Sequence, residues 1–323
     1  MDMEKRLYWI DNLKFLAIFL VVVGHLPMHQ EERNFIYQFH MPLFFIISGY
    51  LYKLRPLKEE AELVYKRLLI PYIGFSLIGV FWCAITKHYN VIKLILGLLV
   101  GENYDTSYWY IPCQPLWFLI ALIWIRLASS LNSMIVWLFD FILIICYSLL
   151  LSHGGNNMLF SIDSALLAMP FFGFGYFIKR QNYLLKLSIL PTSIVFLSAC
   201  AITIWLTKTG NHIDISNGNY GNNIFVFYIY NFMFGYSVMA IFSLFFNKSI
   251  PVLRKYNSGM IAIVGLHQIL EFFILYHQPF IKYNGGGCIS SLEAFTISLV
   301  TLAILYPIII IIKRYSPILL GNR

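Results

Sequence analysis

Ten times along its 323 residues this chain presents a run of apolar residues about as long as a helix needs to cross a hydrocarbon layer of about 30 Å. The runs fall near 8–27, 35–53, 68–86, 115–131, 133–151, 163–178, 187–206, 224–246, 258–276 and 291–312. Charged residues make up only 12% of the chain, against about 25% in a soluble domain, so its surface could not be covered with charge. These features predict an all-α, polytopic membrane helical bundle of about ten transmembrane helices, formed as one integral-membrane domain over 1–323. The apolar stretch at 91–101 is too short to span and reads as a re-entrant or interfacial helix. The runs at 115–131 and 133–151 are divided only by the polar residues at 128–133, and one re-entrant hairpin is an alternative there.

Basic residues predict the orientation, because Lys and Arg stay on the cytoplasmic side. With the N-terminus inside, seventeen of the 23 basic residues fall in cytoplasmic segments. Arg33, Lys87, Lys93, Lys208 and Lys282 fall on the opposite side, and Lys14 lies within the membrane. The bias alternates across all ten runs and predicts an N-in, C-in topology. The net charge of +8 is thereby a topology signal, dispersed over short loops, and argues against a nucleic-acid partner. The first run begins close to Met1, but no small-residue cleavage site follows it and it carries Asp11 and Lys14, so it reads as a retained helix rather than a signal peptide.

That first run contains the strongest functional signal. Asp11, Lys14 and His25 are spaced i, i+3 and i+14, which places them within about 60° of one another on a helix turning 100° per residue. Each ionisable group costs about 2.5–3.5 kcal/mol in a bilayer on insertion scales, so such groups face the bundle interior or a water-filled cavity. The second run opens on His40 and continues through Pro42 to Ser48 and Gly49. Because the link between the two runs is short, His25 and His40 are expected at similar depth. Pro42 frees a backbone carbonyl, and Ser48 and Gly49 permit close helix contact.

Further polar groups lie along the later runs. His267 and Glu271 are one helical turn apart and read as neighbours, either lining a pocket or forming a buried stabilising pair. Asp140 and Asn231 read as interhelical hydrogen-bonding groups. Trp117, and Trp109 between Tyr108 and Tyr110, suit either a sugar ring or the aromatic belt of a membrane interface. The segments 208–223 and 277–290, rich in Asn, Gly and Ser, read as outer loops. Five cysteines show no metal-ligand spacing. Cys113 and Cys288 share the outer side, so a disulfide is open to them, with two free thiols the simpler reading.

The motifs together carry a family resemblance. Asp11-Asn-Leu-Lys14 followed by Val-Gly-His25, then Phe39-His-Met-Pro-Leu-Phe-Phe-Ile-Ile-Ser-Gly-Tyr50, resemble the opening of the acyltransferase 3 family of multi-pass membrane enzymes. Lys66-Arg-Leu-Leu-Ile-Pro71, Pro115-Leu-Trp-Phe-Leu119 and Gly265-Leu-His-Gln268 extend the likeness over nearly the whole chain. The chain is most similar to short members without an appended extracytoplasmic domain. Family members often carry arginine where this chain has Lys14, which keeps the charge and loses the bidentate fork.

The resemblance implies an O-acyltransferase of the bacterial inner membrane, moving an acetyl group from acetyl-CoA to a hydroxyl of a carbohydrate acceptor. No metal is required. Such chemistry needs a base for the hydroxyl proton, and histidine suits that task. His25 is accordingly expected as general base, with Asp11 and His40 beside it in the catalytic set. Arg6, Lys14, Lys66 and Arg67 are expected to hold the donor phosphates, and Trp117, His267 and Glu271 the acceptor. Direct transfer and a covalent acyl-histidine step are both open. The partners are then the lipid bilayer and the carbohydrate acceptor; a homo-oligomer is compatible with the sequence, which does not set the oligomeric state. The competing class is a proton-coupled secondary transporter or flippase of a sugar or lipid-linked intermediate, but no inverted repeat relates the two halves.

Overall fold

The structure is a computed structural model and describes residues 7–102, 105–131, 142, 158–186, 188–277 and 287–321. Apart from Ile142, the expected run 133–151, with Asp140 and Cys146, lies outside the described residues, as does Arg6. Thirteen α-helices are described: α1 Tyr8–His25, α2 Gln30–Tyr37, α3 His40–Leu51, α4 Leu57–Val64, α5 Ile70–Thr86, α6 Val91–Val100, α7 Trp117–Ser130, α8 Ile162–Arg180, α9 Ile189–Lys208, α10 Ile224–Phe245, α11 Pro251–Ser258, α12 Met260–His277 and α13 Ser291–Tyr315. Helix is the secondary structure that satisfies every backbone N–H and C=O within one segment, as a hydrocarbon environment demands.

Among the described residues, six helical stretches are long and apolar enough to cross a membrane, and seven if the bent pair α11–α12 counts as one. They are α1, the continuous stretch Leu57–Thr86, Leu159–Arg180, α9, α10 and α13. Two expected spans take a different form. The run at 35–53 is broken at Gln38–Phe39 into α2 and α3, and the run at 115–131 gives the 14-residue α7. A tertiary contact falls at the break. Gln38 is fully buried, and its side chain exchanges two hydrogen bonds with Asn211, donating to the backbone carbonyl at 2.5 Å and accepting from Nδ2 at 3.0 Å. Pro42 then falls in the first turn of α3, where a helix has no use for the missing N–H, so it starts the helix rather than kinking it.

Sequence chemistry sets the other boundaries. Asn90 caps α6 and Asn223 caps α10, each accepting from two backbone N–H groups. Ser290 and Glu293 form a capping box at the start of α13. Pro71 has no N–H to return to the carbonyl of Arg67, and the chain passes through a π turn over Tyr65–Leu69 between α4 and α5. Between α11 and α12 the chain bends by 81° at Gly259.

α1 is the central element, packing against α3, α10, α11, α12 and α13. The most hydrophobic window of α1 is 56% buried, against 22% for α9 and 33% for α13, which lie at the periphery. α3 lies along α8 at a separation only glycine permits. A Cβ on Gly49 would collide with the backbone carbonyl of Phe172, and one on Gly175 with that of Ile46. The pairing brings Phe45, Ile46, Phe171 and Phe172 into the core, all less than 2% exposed.

Gly175→Val is therefore expected to lower the thermal midpoint in detergent and the membrane abundance sharply, by at least the 1–3 kcal/mol of ordinary overpacking, because backbone cannot give way. Gly287→Ala, which meets nothing among the described residues, should leave both unchanged. Equal behaviour of the two variants would refute the close α3–α8 contact.

Candidate functional site

Among the described residues, three cavities inside the bundle border His25. The largest, about 520 Å³, runs between α1, α3, α7, α11 and α12. At one end it is lined by Lys14, Lys53, Arg55, Arg67 and Arg126, and at the other by Met41, Trp117 and His25. The walls between are apolar, with Ile18, Val21, Phe44, Ile47, Leu122 and Val264. Among the described residues lining it there is no Asp or Glu. The second cavity, about 400 Å³, is lined by His25, Tyr37, His40, Met41, Gln114, Trp117, Asp105 and the loop residues Ile213–Asn217. A third, about 270 Å³, takes His25, Arg33, Lys87, Asp105, Gln114, Gln268 and Glu271. Among the described residues, His25 lines all three.

The helices that carry these side chains explain the polarity. On α1, Lys14 and His25 are separated by eleven residues, about 16 Å of helix. On α3 and α7 the order is reversed: Met41 and Trp117 stand near their starts, whereas Arg126 follows nine residues after Trp117, and Lys53 and Arg55 lie just beyond the end of α3. Arg67 sits on the π turn before α5. Four separate segments thus bring their cations to one end of one cavity.

Three histidines are held alike at the other end. Nδ1 of His25 lies 2.8 Å from the carbonyl of Val21, that of His40 2.9 Å from Ile36, and that of His267 2.7 Å from Ile263. A carbonyl can only accept, so each Nδ1–H donates and each Nε2 carries the lone pair. The rings of His25 and His267 meet edge to face at 5.0 Å between centroids, and Tyr37 packs on His40 at 4.9 Å. His267 is fully buried, and its Nε2 has no hydrogen-bond partner among the described residues. Oε1 of the buried Glu271, which lines the third cavity, is likewise without a partner.

The second cavity is closed by the loop that follows α9. Asp214 accepts from the backbone N–H of Ser216 at 3.1 Å and from Nδ2 of Asn217 at 2.6 Å. His212 Nδ1 lies 2.9 Å from Asn34 Oδ1, and Asn211 joins Gln38 and the N–H of Asn222, so the loop is docked on α2. Polar and aromatic groups face each other across this cavity.

Measured against expectation, His25, His40 and Trp117 come together. Trp117 is 6% exposed and separates the first two cavities, so it is not an interfacial anchor. Lys14 and Arg67 line the cationic end. Lys66 does not: it is exposed and paired with Glu62 at 2.5 Å. Asp11 lines none of the three cavities and stands fourteen residues from His25 on α1, about 21 Å of helix, out of reach of the same reacting atoms. Glu271 does not set the tautomer of His267, because the Ile263 carbonyl already does. Cys113 and Cys288 are not bridged; Cys113 is buried with its thiol toward the Gly265 carbonyl at 3.4 Å, and Cys288 is exposed.

Sequence reasoning missed Lys53, Arg55 and Arg126 as site residues. Arg126 had a signal: it falls inside an apolar run, the same anomaly that marks Lys14 and His25. Lys53 and Arg55 had none, because a basic loop residue reads first as topology.

The family model of the acyltransferase domain, Acyl_transf_3, matches residues 7–314, nearly the whole chain. The chain belongs to the acyltransferase 3 family, and with its apolar helices it is a multi-pass membrane acyltransferase. No curated protein and no solved structure matches it.

The cationic end should bind polyanions irrespective of the reaction. Inorganic tripolyphosphate at low ionic strength is expected to raise the thermal midpoint of the purified protein, by about 2.7 kcal/mol of stabilisation at a hundredfold excess over Kd. Lys14→Glu should diminish that shift. No shift in the wild type would exclude an anion site.

Proposed function

We propose that the protein is an acyl-CoA-dependent O-acyltransferase with His25 as general base, moving an acetyl group from acetyl-CoA to a hydroxyl of a carbohydrate. The observation that carries this reading is that three cavities border His25, the largest reaching it from an end lined by five cations. A CoA thioester has the matching polarity, with a phosphorylated nucleotide at one end, a narrow pantetheine arm, and the acyl group at the other. Charge-assisted hydrogen bonds from Lys14, Lys53, Arg55, Arg67 and Arg126 would hold the phosphates. The arm would follow the apolar walls to His25.

The acceptor enters the second cavity. Asp105, Asp214, Gln114 and Ser216 offer hydrogen-bond partners for hydroxyls, while Tyr37 and Trp117 offer faces for a sugar ring. The hydroxyl oxygen attacks the thioester carbonyl as its proton passes to Nε2 of His25. The resulting tetrahedral intermediate collapses to the ester, the carbon–sulfur bond breaks, and the proton on Nε2 goes to the departing thiolate. Nδ1–H stays bonded to the Val21 carbonyl throughout, which keeps the ring oriented and steadies the imidazolium. Under the N-in orientation of the basic residues, the cationic end opens to the cytoplasm, where acyl-CoA is made, and the second cavity opens to the other side of a bacterial inner membrane. His40 lines the acceptor side, and His267 backs His25.

His25→Ala should lower transfer from labelled acetyl-CoA by about 10²–10⁴-fold, the usual contribution of a general base, with the protein still inserted and abundant. Lys208→Ala, at the exposed end of α9, should transfer at the wild-type rate. Mass analysis of surface glycans from deletion and complemented cells should differ by the mass of one acyl group. Undiminished transfer by His25→Ala would sink the assignment.

A further inference from the structure

Glu60 is the one acid among the described residues that is fully buried and ion-paired across the fold. It stands on α4, and its Oε1 receives both Nε and Nη2 of Arg126 from α7, each at 2.6 Å. Its Oε2 receives Nη1 of Arg55 at 3.4 Å. Glu60 itself lines no cavity, whereas both arginines line the largest one at its cationic end. A guanidinium has five N–H groups in a rigid fork, so an arginine anchored by one edge keeps the other to offer. Beside them Tyr52, 6% exposed, also lines the cavity, with its hydroxyl within electrostatic reach of Glu60, Arg126 and Arg55. That hydroxyl is buried and has no hydrogen-bond partner among the described residues. Buried hydroxyls are nearly always paired, so this orphan, on a residue that lines the cavity beside the two arginines, has a donor still to offer.

We propose that Arg126, Arg55 and the Tyr52 hydroxyl form a polyphosphate subsite for the donor, with Glu60 as the positioning residue that holds both guanidinium groups in place. The inference rests on the acyl-CoA reading above. Glu60 acts through the arginines and touches no substrate. Without it, two long cationic side chains repel each other and lose their common orientation, so the phosphates must order them on binding. Tyr52 supplies a neutral donor whose geometry is set by the end of α3.

The test compares acetyl-CoA with S-acetylpantetheine, which lacks the nucleotide, by equilibrium binding to the full-length protein in detergent. Wild type is expected to bind acetyl-CoA far more tightly. Glu60→Gln and Tyr52→Phe should each weaken acetyl-CoA by about tenfold or more, the usual worth of hydrogen bonds to charged groups, and leave S-acetylpantetheine unchanged. Tyr52→Phe removes an unpaired hydroxyl and should not lower the thermal midpoint, so its effect cannot be misread as unfolding. Tighter binding of acetyl-CoA by Glu60→Gln would show that Glu60 competes with phosphate for the arginines and overturn the positioning role. An equal loss for both ligands would mark a merely structural carboxylate and overturn it too. If the wild type fails to prefer acetyl-CoA, the donor reading itself falls, before any variant is compared.

Discussion

A charged or hydrogen-bonding side chain in a helix bundle surrounded by hydrocarbon has nowhere to go but inward, to a partner or a cavity. α1 feels this constraint most. It touches five other long or bent helices and carries both Lys14 and His25 on the face that borders the largest cavity. The proposed site is arranged along that face. The cations of α7, the π turn and the segment just beyond α3 gather where Lys14 is, and the aromatic and imidazole groups gather where His25 is.

The histidines show how the same constraint sets chemistry. An imidazole in an apolar bundle must place its N–H somewhere, and a carbonyl four residues back in the chain is at hand. His25, His40 and His267 all use it. The side effect is a fixed tautomer with the lone pair on Nε2, the atom nearer the tip of the ring and farther from its own backbone. The lone pair that the proposed base needs is thus oriented by a backbone carbonyl. His25 differs from the other two in its access to three cavities.

Much of this was legible beforehand, and the reasons are local. The angular alignment of Lys14 with His25 follows from 3.6 residues per turn and survives folding intact. Asp11 shares that angle yet falls outside the site, because angle says nothing about depth, and fourteen residues of rise remove it from His25. The segment 35–53 reads as one continuous run because the apolar pattern persists through Gln38. At the break stands a pair of hydrogen bonds to Asn211, a residue 173 positions away. Glu60 sits in an acidic amphipathic stretch that reads as solvated, and only contact with Arg126 across 66 residues reveals it as buried.

By itself, the sequence determined an all-helical membrane bundle, its membership of a family of acyltransferases, and the polar face of α1. Those properties depend on composition, periodicity and motifs along one segment. Tertiary structure decided which cations share a cavity, that Lys66 stays outside it, and that His25 rather than His40 or His267 borders three cavities. Such choices belong to the packing of α1, α3, α7 and α12, whose facing side chains are remote in sequence. Convergence of remote groups is set by helix positions in space, which no local pattern encodes.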